Sequence, residues 1–233
     1  MRRPFHAPIA IAIATFAAAL LWAPGDAQAQ RSRAPDNYGA VTLLLGFGGE
    51  AEYDSQNVNV NVQGQSDLEA SLGLGGRYMA PLHKHFALGG ALGFLSWQTN
   101  ARDNNNLDRS SLLDLSLVPA GVLPVGRDLE LYLSLPLGLT LGFGNEEAAA
   151  SAGGVTMATV ETDPGVGLNL GLMFGLRVPV SGSIGFLGEL GFSYHAFSQD
   201  VTSRITVLGN TTSTTAEVDV SMGQLAMNLG IFF

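Results

Sequence analysis

The chain contains no cysteine, which excludes a disulfide framework, a thiolate nucleophile and any cysteine-built metal centre. Charge is scarce: 13% of the residues are Asp, Glu, Lys or Arg, against roughly 25% in an ordinary soluble domain. The charge present leans acidic, with 20 Asp and Glu against 11 Lys and Arg, and that balance excludes a nucleic-acid-binding surface. Beyond residue 29 no apolar run approaches the roughly 20 residues that a helix needs to cross a bilayer, so a helical membrane protein is excluded as well. Tryptophan is nearly absent, and of Trp22 and Trp97 only the second lies beyond residue 29.

The N-terminal residues have their own logic. Met1-Arg2-Arg3 is a short basic region, Ile9 to Leu21 is apolar, and Ala27-Gln28-Ala29 fits an A-x-A cleavage site. The apolar part is too short to span and ends at Pro24-Gly25, so residues 1–29 read as a cleaved signal peptide and the mature chain begins at Gln30. Loss of Arg2, Arg3 and Asp26 leaves 9 basic and 19 acidic residues, a net charge of −10.

What is abundant is glycine, 30 residues, and leucine at alternate positions. Leu129, Leu131, Leu133, Leu135, Leu137, Leu139, Leu141 and Phe143 occupy every odd position, with Glu130, Tyr132, Ser134, Pro136, Gly138, Thr140 and Gly142 between them. A helix would scatter these leucines around its circumference, whereas a strand puts them all on one face. Leucine is a poor strand former, so propensity is not the cause; a lipid solvent on one face is. Seven other segments alternate in the same way, with outward residues beginning at Val41, Leu68, Phe86, Leu113, Val166, Ile184 and Leu225. Each is long enough for the roughly 9 to 11 residues of a tilted membrane strand. Tight Pro- and Gly-rich turns at 80–84, 124–128 and 179–183 alternate with long polar loops near 49–66, 98–111, 144–164 and 198–217. Pro119 and Pro136 fall inside the fourth and fifth segments, where each deletes a ladder hydrogen bond and predicts a bulge or bend.

The sequence therefore predicts an all-β, eight-stranded, antiparallel up-and-down transmembrane β-barrel over residues 38–233, preceded by the signal peptide and a short periplasmic segment, 30–37. The last strand alternates Leu225, Met227, Leu229, Ile231 and Phe233 against Gln224, Ala226, Asn228 and Gly230. With this ending, the whole mature chain resembles small bacterial outer-membrane barrels of the OmpA, OmpX and OmpW kind. The resemblance implies an integral outer-membrane location with both termini in the periplasm. It also implies that Leu225, Met227, Leu229, Ile231 and Phe233 form the signal read by the barrel assembly machinery. With one tryptophan, the aromatic girdles are expected from Tyr38, Tyr78, Phe86, Phe94, Phe143, Tyr194, Phe197, Phe232 and Phe233.

A barrel of this size has an interior that side chains roughly fill. The inward face is mostly Gly, Ala and Ser, so the long residues Arg77, Arg177, Glu69, Asp114, Glu130, Glu189, Tyr132 and Met173 are expected to plug it. Arg77, Glu130, Arg177 and Glu189 are the ion-pair candidates, with Glu130 and Arg177 at one rim of neighbouring strands, because a buried charge needs a partner. The alternative is a narrow water-filled or apolar passage. Ser193 and His195 share a face with Glu189, which invites a hydrolase reading. Their order is the reverse of that in the outer-membrane lipid A deacylases, and Glu189 lies about 20 Å from His195 at about 3.3 Å per residue. Asp200 is the other acid within reach. His83 and His85 flank Lys84 without a nearby third ligand, so no metal site is expected. The expectation is a non-enzymatic barrel with no cofactor and a structural or surface-interaction role, or else a narrow channel or carrier for small solutes, apolar ones included. Its partners are outer-membrane lipid and lipopolysaccharide, and an extracellular partner reached through acidic loops that carry Glu50, Glu52, Asp54, Glu146, Glu161, Asp200 and Glu217.

Overall fold

A computed structural model of the chain describes residues 37–55, 63–97, 110–125, 129–144, 146–152, 155–181, 184–207 and 210–233. The signal peptide, nearly all of the 30–37 segment and the alternating Asn57–Val62 run lie outside these residues. The elements are β1 (Tyr38–Ser55), β2 (Gln63–Asp67), β3 (Ser71–His83), β4 (Phe86–Trp97), β5 (Ser110–Pro124), β6 (Glu130–Ser134), β7 (Leu137–Phe143), β8 (Glu146–Ala152), β9 (Val155–Thr162), β10 (Gly165–Ser181), β11 (Ile184–Val207) and β12 (Asn210–Phe232).

All pairings are antiparallel, and the ring closes. It runs β1–β3–β4–β5, then β6 and β7 as two halves of one stave, then β10–β11–β12 and back to β1. That makes eight staves, as the alternation predicts. The seam between first and last staves runs in unbroken register from Ala40↔Phe232 to Phe47↔Leu225. Reciprocal backbone hydrogen bonds of 2.9 Å between Gly39 and Phe233 finish it. Closure removes the edge strands that no lipid could satisfy.

The two prolines act differently from the expected bulges. Pro119 stays within β5, opposite Leu88, and the β4–β5 register continues through it without a shift. Pro136 splits the fifth stave into β6 and β7, yet the register against β10 is the same on both sides, Ser134↔Met173 and Leu137↔Leu170. The gap is bridged by Leu135 N donating to Pro119 O at 3.0 Å and Gly171 N to Pro136 O at 2.7 Å. A missing donor therefore interrupts the ladder here without displacing it.

The bulge is in β1 instead. Its register against β12 slips by one residue between Phe47 and Glu50, where Gly48 and Gly49 have φ of +57° and +113°. Such angles favour glycine, and the extra residue exchanges the faces of the strand. Below it Thr42 faces inward; above it Ala51 and Tyr53 do. The strands then continue past the predicted boundaries. β1 and β2 pair from Glu50↔Asp67 to Asp54↔Gln63, and β11 and β12 pair to Val207↔Asn210. Much of the two regions read as polar loops is a raised hairpin sheet, joined on β11 by β9 and beyond it β8. The Thr-rich run is one strand of it, with Thr202–Thr215 and Thr206–Thr211 hydroxyl contacts of 2.8 and 3.0 Å.

The outward face carries the alternating apolar residues, and they stay bare: Leu74 and Leu168 are each 64% exposed. In water such a belt would be an aggregation surface; in a bilayer it is the solvated face. The predicted girdle needs revision. Phe197 and Phe232 are each 5% exposed and turn into the lumen, and Tyr38 packs edge-on against Phe232, ring centroids 5.7 Å apart. Leu68, assigned to the outer face, is buried, and Glu69, assigned to the inner face, is exposed, because residues 69 and 70 break the strand pattern between β2 and β3.

Candidate functional site

Among the described residues, the lumen is where these strands bring polar chemistry together away from solvent, and it is layered along its axis. At the short-turn end Arg177 of β10 pairs with Glu130 of β6. The guanidinium also sits 4.2 Å from the Tyr38 ring centroid and 5.1 Å from that of Phe232, a cation–π arrangement favoured by desolvation. Arg177 and Glu130 are opposed in the β10–β6 register, so one cross-strand position places both charges.

One layer further in, Arg77 of β3 reaches across the lumen to Glu189 of β11. The two terminal guanidinium nitrogens each donate to one carboxylate oxygen, Nη1 to Oε1 at 2.6 Å and Nη2 to Oε2. Asn228 Nδ2 donates to Oε2 at 2.8 Å. The two charged side chains are 8% and 1% exposed. A fork-to-fork pair with an added donor is the form in which a desolvated pair holds. The four ion-pair candidates thus lie in two pairs, Arg77 with Glu189 and Arg177 with Glu130.

Next comes a chamber of about 130 Å³. Gln224 of its wall accepts from Ser71 Oγ at 2.7 Å through Oε1. Gly46 is what lets them meet, since a Cβ there would fall 2.0 Å from Ser71 Oγ. Above the chamber is a second polar layer centred on Asp114 of β5. His195 Nε2 lies 2.9 Å from its Oδ2, Thr140 Oγ1 donates to Oδ1, and Asn169 Nδ2 approaches Oδ1 at 3.3 Å. Asn169 in turn donates to Leu139 O at 2.7 Å and accepts from Ser116 Oγ at 2.8 Å. The sequence reading placed Asp114 inside but missed it as the partner of His195, weighing Glu189 and Asp200 instead. Glu189 is engaged by Arg77, and Asp200 lies opposite Glu217 in the β11–β12 hairpin. No local signal pairs β5 with β11, because they meet only across the lumen.

The hairpin end is apolar. Leu112, Met222, Val220, Trp97 and Phe197, all at most 5% exposed, form a buried cluster with Tyr53 against it. Outside the lumen, the His83 and His85 rings lie 6.1 Å apart in the β3–β4 turn, and His85 Nδ1 is 3.1 Å from Val122 O. Among the described residues no group of three or more His, Cys, Asp or Glu side chains could hold a metal ion.

No family model and no curated protein matches the sequence. Solved structures do match. The crystal structure of the outer membrane protein OprG from Pseudomonas aeruginosa is 10% identical, with 84% of this chain and 94% of that chain covered and a TM-score of 0.57. Outer membrane protein AlkL, solved by solid-state NMR in lipid bilayers, is 15% identical over 88% of this chain and 96% of that one, with a TM-score of 0.44. Neisserial surface protein A is 12% identical over 82% and 95%, with a TM-score of 0.39. At these identities the likeness is one of architecture, and the OprG match carries it. Ring closure, the apolar outer belt and that superposition together give the chain the fold of the small eight-stranded outer-membrane β-barrels.

Proposed function

We propose that the chain is an integral outer-membrane barrel with a structural or surface-interaction role, exported with cleavage after Ala29, and not an enzyme. The observation that carries this reading is the filling of the lumen from both ends. Arg77–Glu189 and Arg177–Glu130 occupy one end, and the Leu112–Met222–Phe197 cluster occupies the other. The sheet meanwhile rises beyond the apolar belt on long hairpins, and loops held on a rigid barrel are the usual seat of recognition. Outward-facing acidic residues mark that rim, with Asp200 directly opposite Glu217. They favour partners that arrive with cations, lipopolysaccharide phosphates bridged by divalent ions among them. On the lipid face of β12, Leu225, Leu229, Ile231 and Phe233 are about half exposed, and with Met227 they form the strip offered to the assembly machinery.

The test is single-channel recording of the refolded mature chain, residues 30–233, in a planar bilayer. A silent bilayer with heat-modifiable gel mobility is expected. Discrete, reproducible current steps would overturn the closed-lumen reading. A second reading, a carrier for small apolar solutes, is favoured by the apolar character of the hairpin-end layer, which would admit such a solute while excluding ions. It too expects electrical silence, and it expects faster entry of an apolar dye into proteoliposomes than into empty vesicles.

A further inference from the structure

The chamber between the two polar layers combines features that point to a ligand. Its wall is mostly hydrocarbon and glycine surface, with Leu44, Ala91, Gly93 and Ala226 among its lining residues. Ser193 and His195 also line it, two residues apart on the inward face of β11. Ser193 Oγ and His195 Nδ1 are shut off from solvent and have no hydrogen-bond partner, and His195 is 3% exposed as a whole. Buried polar atoms are rarely left unpaired, and here one ligand could reach both. The Asp114 carboxylate accepts a hydrogen bond from His195 Nε2–H, and in that neutral tautomer Nδ1 is the acceptor.

The surroundings define the ligand. Glu189 is already engaged by Arg77 and Asn228, and Asp114 by His195 and Thr140. Neither carboxylate is left over for a cation; Arg77, which also lines the chamber, is neutralised by Glu189, and the Asp114 carboxylate beside a neutral His195 repels an anion, so the ligand is neutral. Its polar part must donate to His195 Nδ1 and exchange a hydrogen bond with Ser193 Oγ, which a single hydroxyl does. Its apolar part must suit a space of about 130 Å³; a cavity of about 150 Å³ in another protein takes benzene. Water could serve the two polar atoms but would leave the hydrocarbon wall without contacts.

We propose that this chamber binds one small neutral molecule, a compact apolar body bearing one hydroxyl, with the size and chemistry of phenol. The hydroxyl meets His195 Nδ1 and Ser193 Oγ, and the ring packs on the Leu44 and Ala226 side. Binding of this kind requires neither conduction nor a surface partner, so it stands apart from the role proposed above.

The experiment uses the mature protein refolded in lipid nanodiscs with ¹⁵N-labelled histidine. Three histidines remain after cleavage, His83, His85 and His195. Titration with phenol is expected to shift the ring signals of one histidine saturably. Benzene, lacking the hydroxyl, should bind about tenfold more weakly, the worth of a hydrogen bond at the upper end of its usual range. Ala91→Leu, which fills the chamber, should abolish the saturable shift while keeping heat-modifiable mobility. A linear, unsaturated response would mean partition into lipid and would overturn the proposal. So would equal affinity for benzene and phenol, or undiminished binding in a folded Ala91→Leu variant. The comparison of the two ligands on the unaltered protein decides the matter even if that variant fails to fold.

Discussion

The two ends of the lumen are filled on opposite principles. Toward the short turns the space is closed by charge: Arg77 crosses from β3 to Glu189 on β11, and Arg177 joins β10 to Glu130 on β6. Toward the hairpins it is closed by hydrocarbon, Leu112, Val220, Met222 and their neighbours. The difference follows from what surrounds each end. In the lumen a guanidinium–carboxylate fork such as Arg77–Glu189, with side chains 8% and 1% exposed, has little competing water, and its geometry selects which strands face one another. Above the bilayer water returns, ion pairs weaken, and apolar burial is the stronger filler; the Arg204–Glu161 pair on the exposed hairpins, with side chains 47% and 35% exposed, belongs to the class worth little. One end is directional and unforgiving, the other adaptable.

The largest effect should come from breaking the directional end. Glu189→Ala leaves Arg77 buried without its carboxylate and should cost about 3–5 kcal/mol in urea unfolding from lipid vesicles. The double variant Arg77→Met with Glu189→Leu should recover most of that loss, because the cost lies in the stranded charge rather than in the pair. Equal damage in single and double variants would show that the fork itself supplies the stability, and the contrast between the ends would need another cause.

A smaller effect separates lumen from lipid at a single height. Leu115, 61% exposed on the outer face, sits next to Asp114, which points inward. Leu115→Arg should destabilise by about 2–4 kcal/mol if that position lies near the bilayer midplane, measured by the same urea titration. An unchanged midpoint would sink the assignment of faces.

That assignment is legible in the sequence alone, and the reason is physical. Lipid on one side imposes a period of two on every stave, so Leu129 to Phe143 reveals its faces residue by residue. The staves themselves and the inward placement of Arg77, Glu130, Arg177 and Glu189 follow from the same period. What crosses the lumen does not. Whether Asp114 meets His195 depends on the stagger between staves that share no edge, and no spacing along the chain encodes it. The Gly48–Gly49 bulge was equally hidden, since glycine is common on this inward face, and only the two positive φ angles mark these as different. The bulge in turn explains why Tyr53 points in. Tyr38, Phe197 and Phe232 were misassigned to the girdles because an aromatic suits both an interface and a core, and only the register decides between them.

The smallest effect tests whether the raised hairpin is a separate layer of stability or an extension of the barrel. Beyond the apolar cluster, β11 and β12 hold each other by backbone pairing and by hydroxyl contacts such as Thr202–Thr215. A cross-strand pair of this kind is worth about 0.2–1 kcal/mol. Thr215→Ala should therefore loosen the hairpin without moving the urea midpoint of the barrel, because local opening and global unfolding draw on different contacts. Arg204, paired opposite Ser213 in the same hairpin, supplies the readout: trypsin should nick after Arg204 a few-fold faster in the variant, about the factor that a loss of this size gives when opening and reclosing are fast relative to cleavage. If the midpoint falls together with the faster nicking, hairpin and barrel unfold as one unit, and the adaptable end of the lumen is held from above as well as from its own packing.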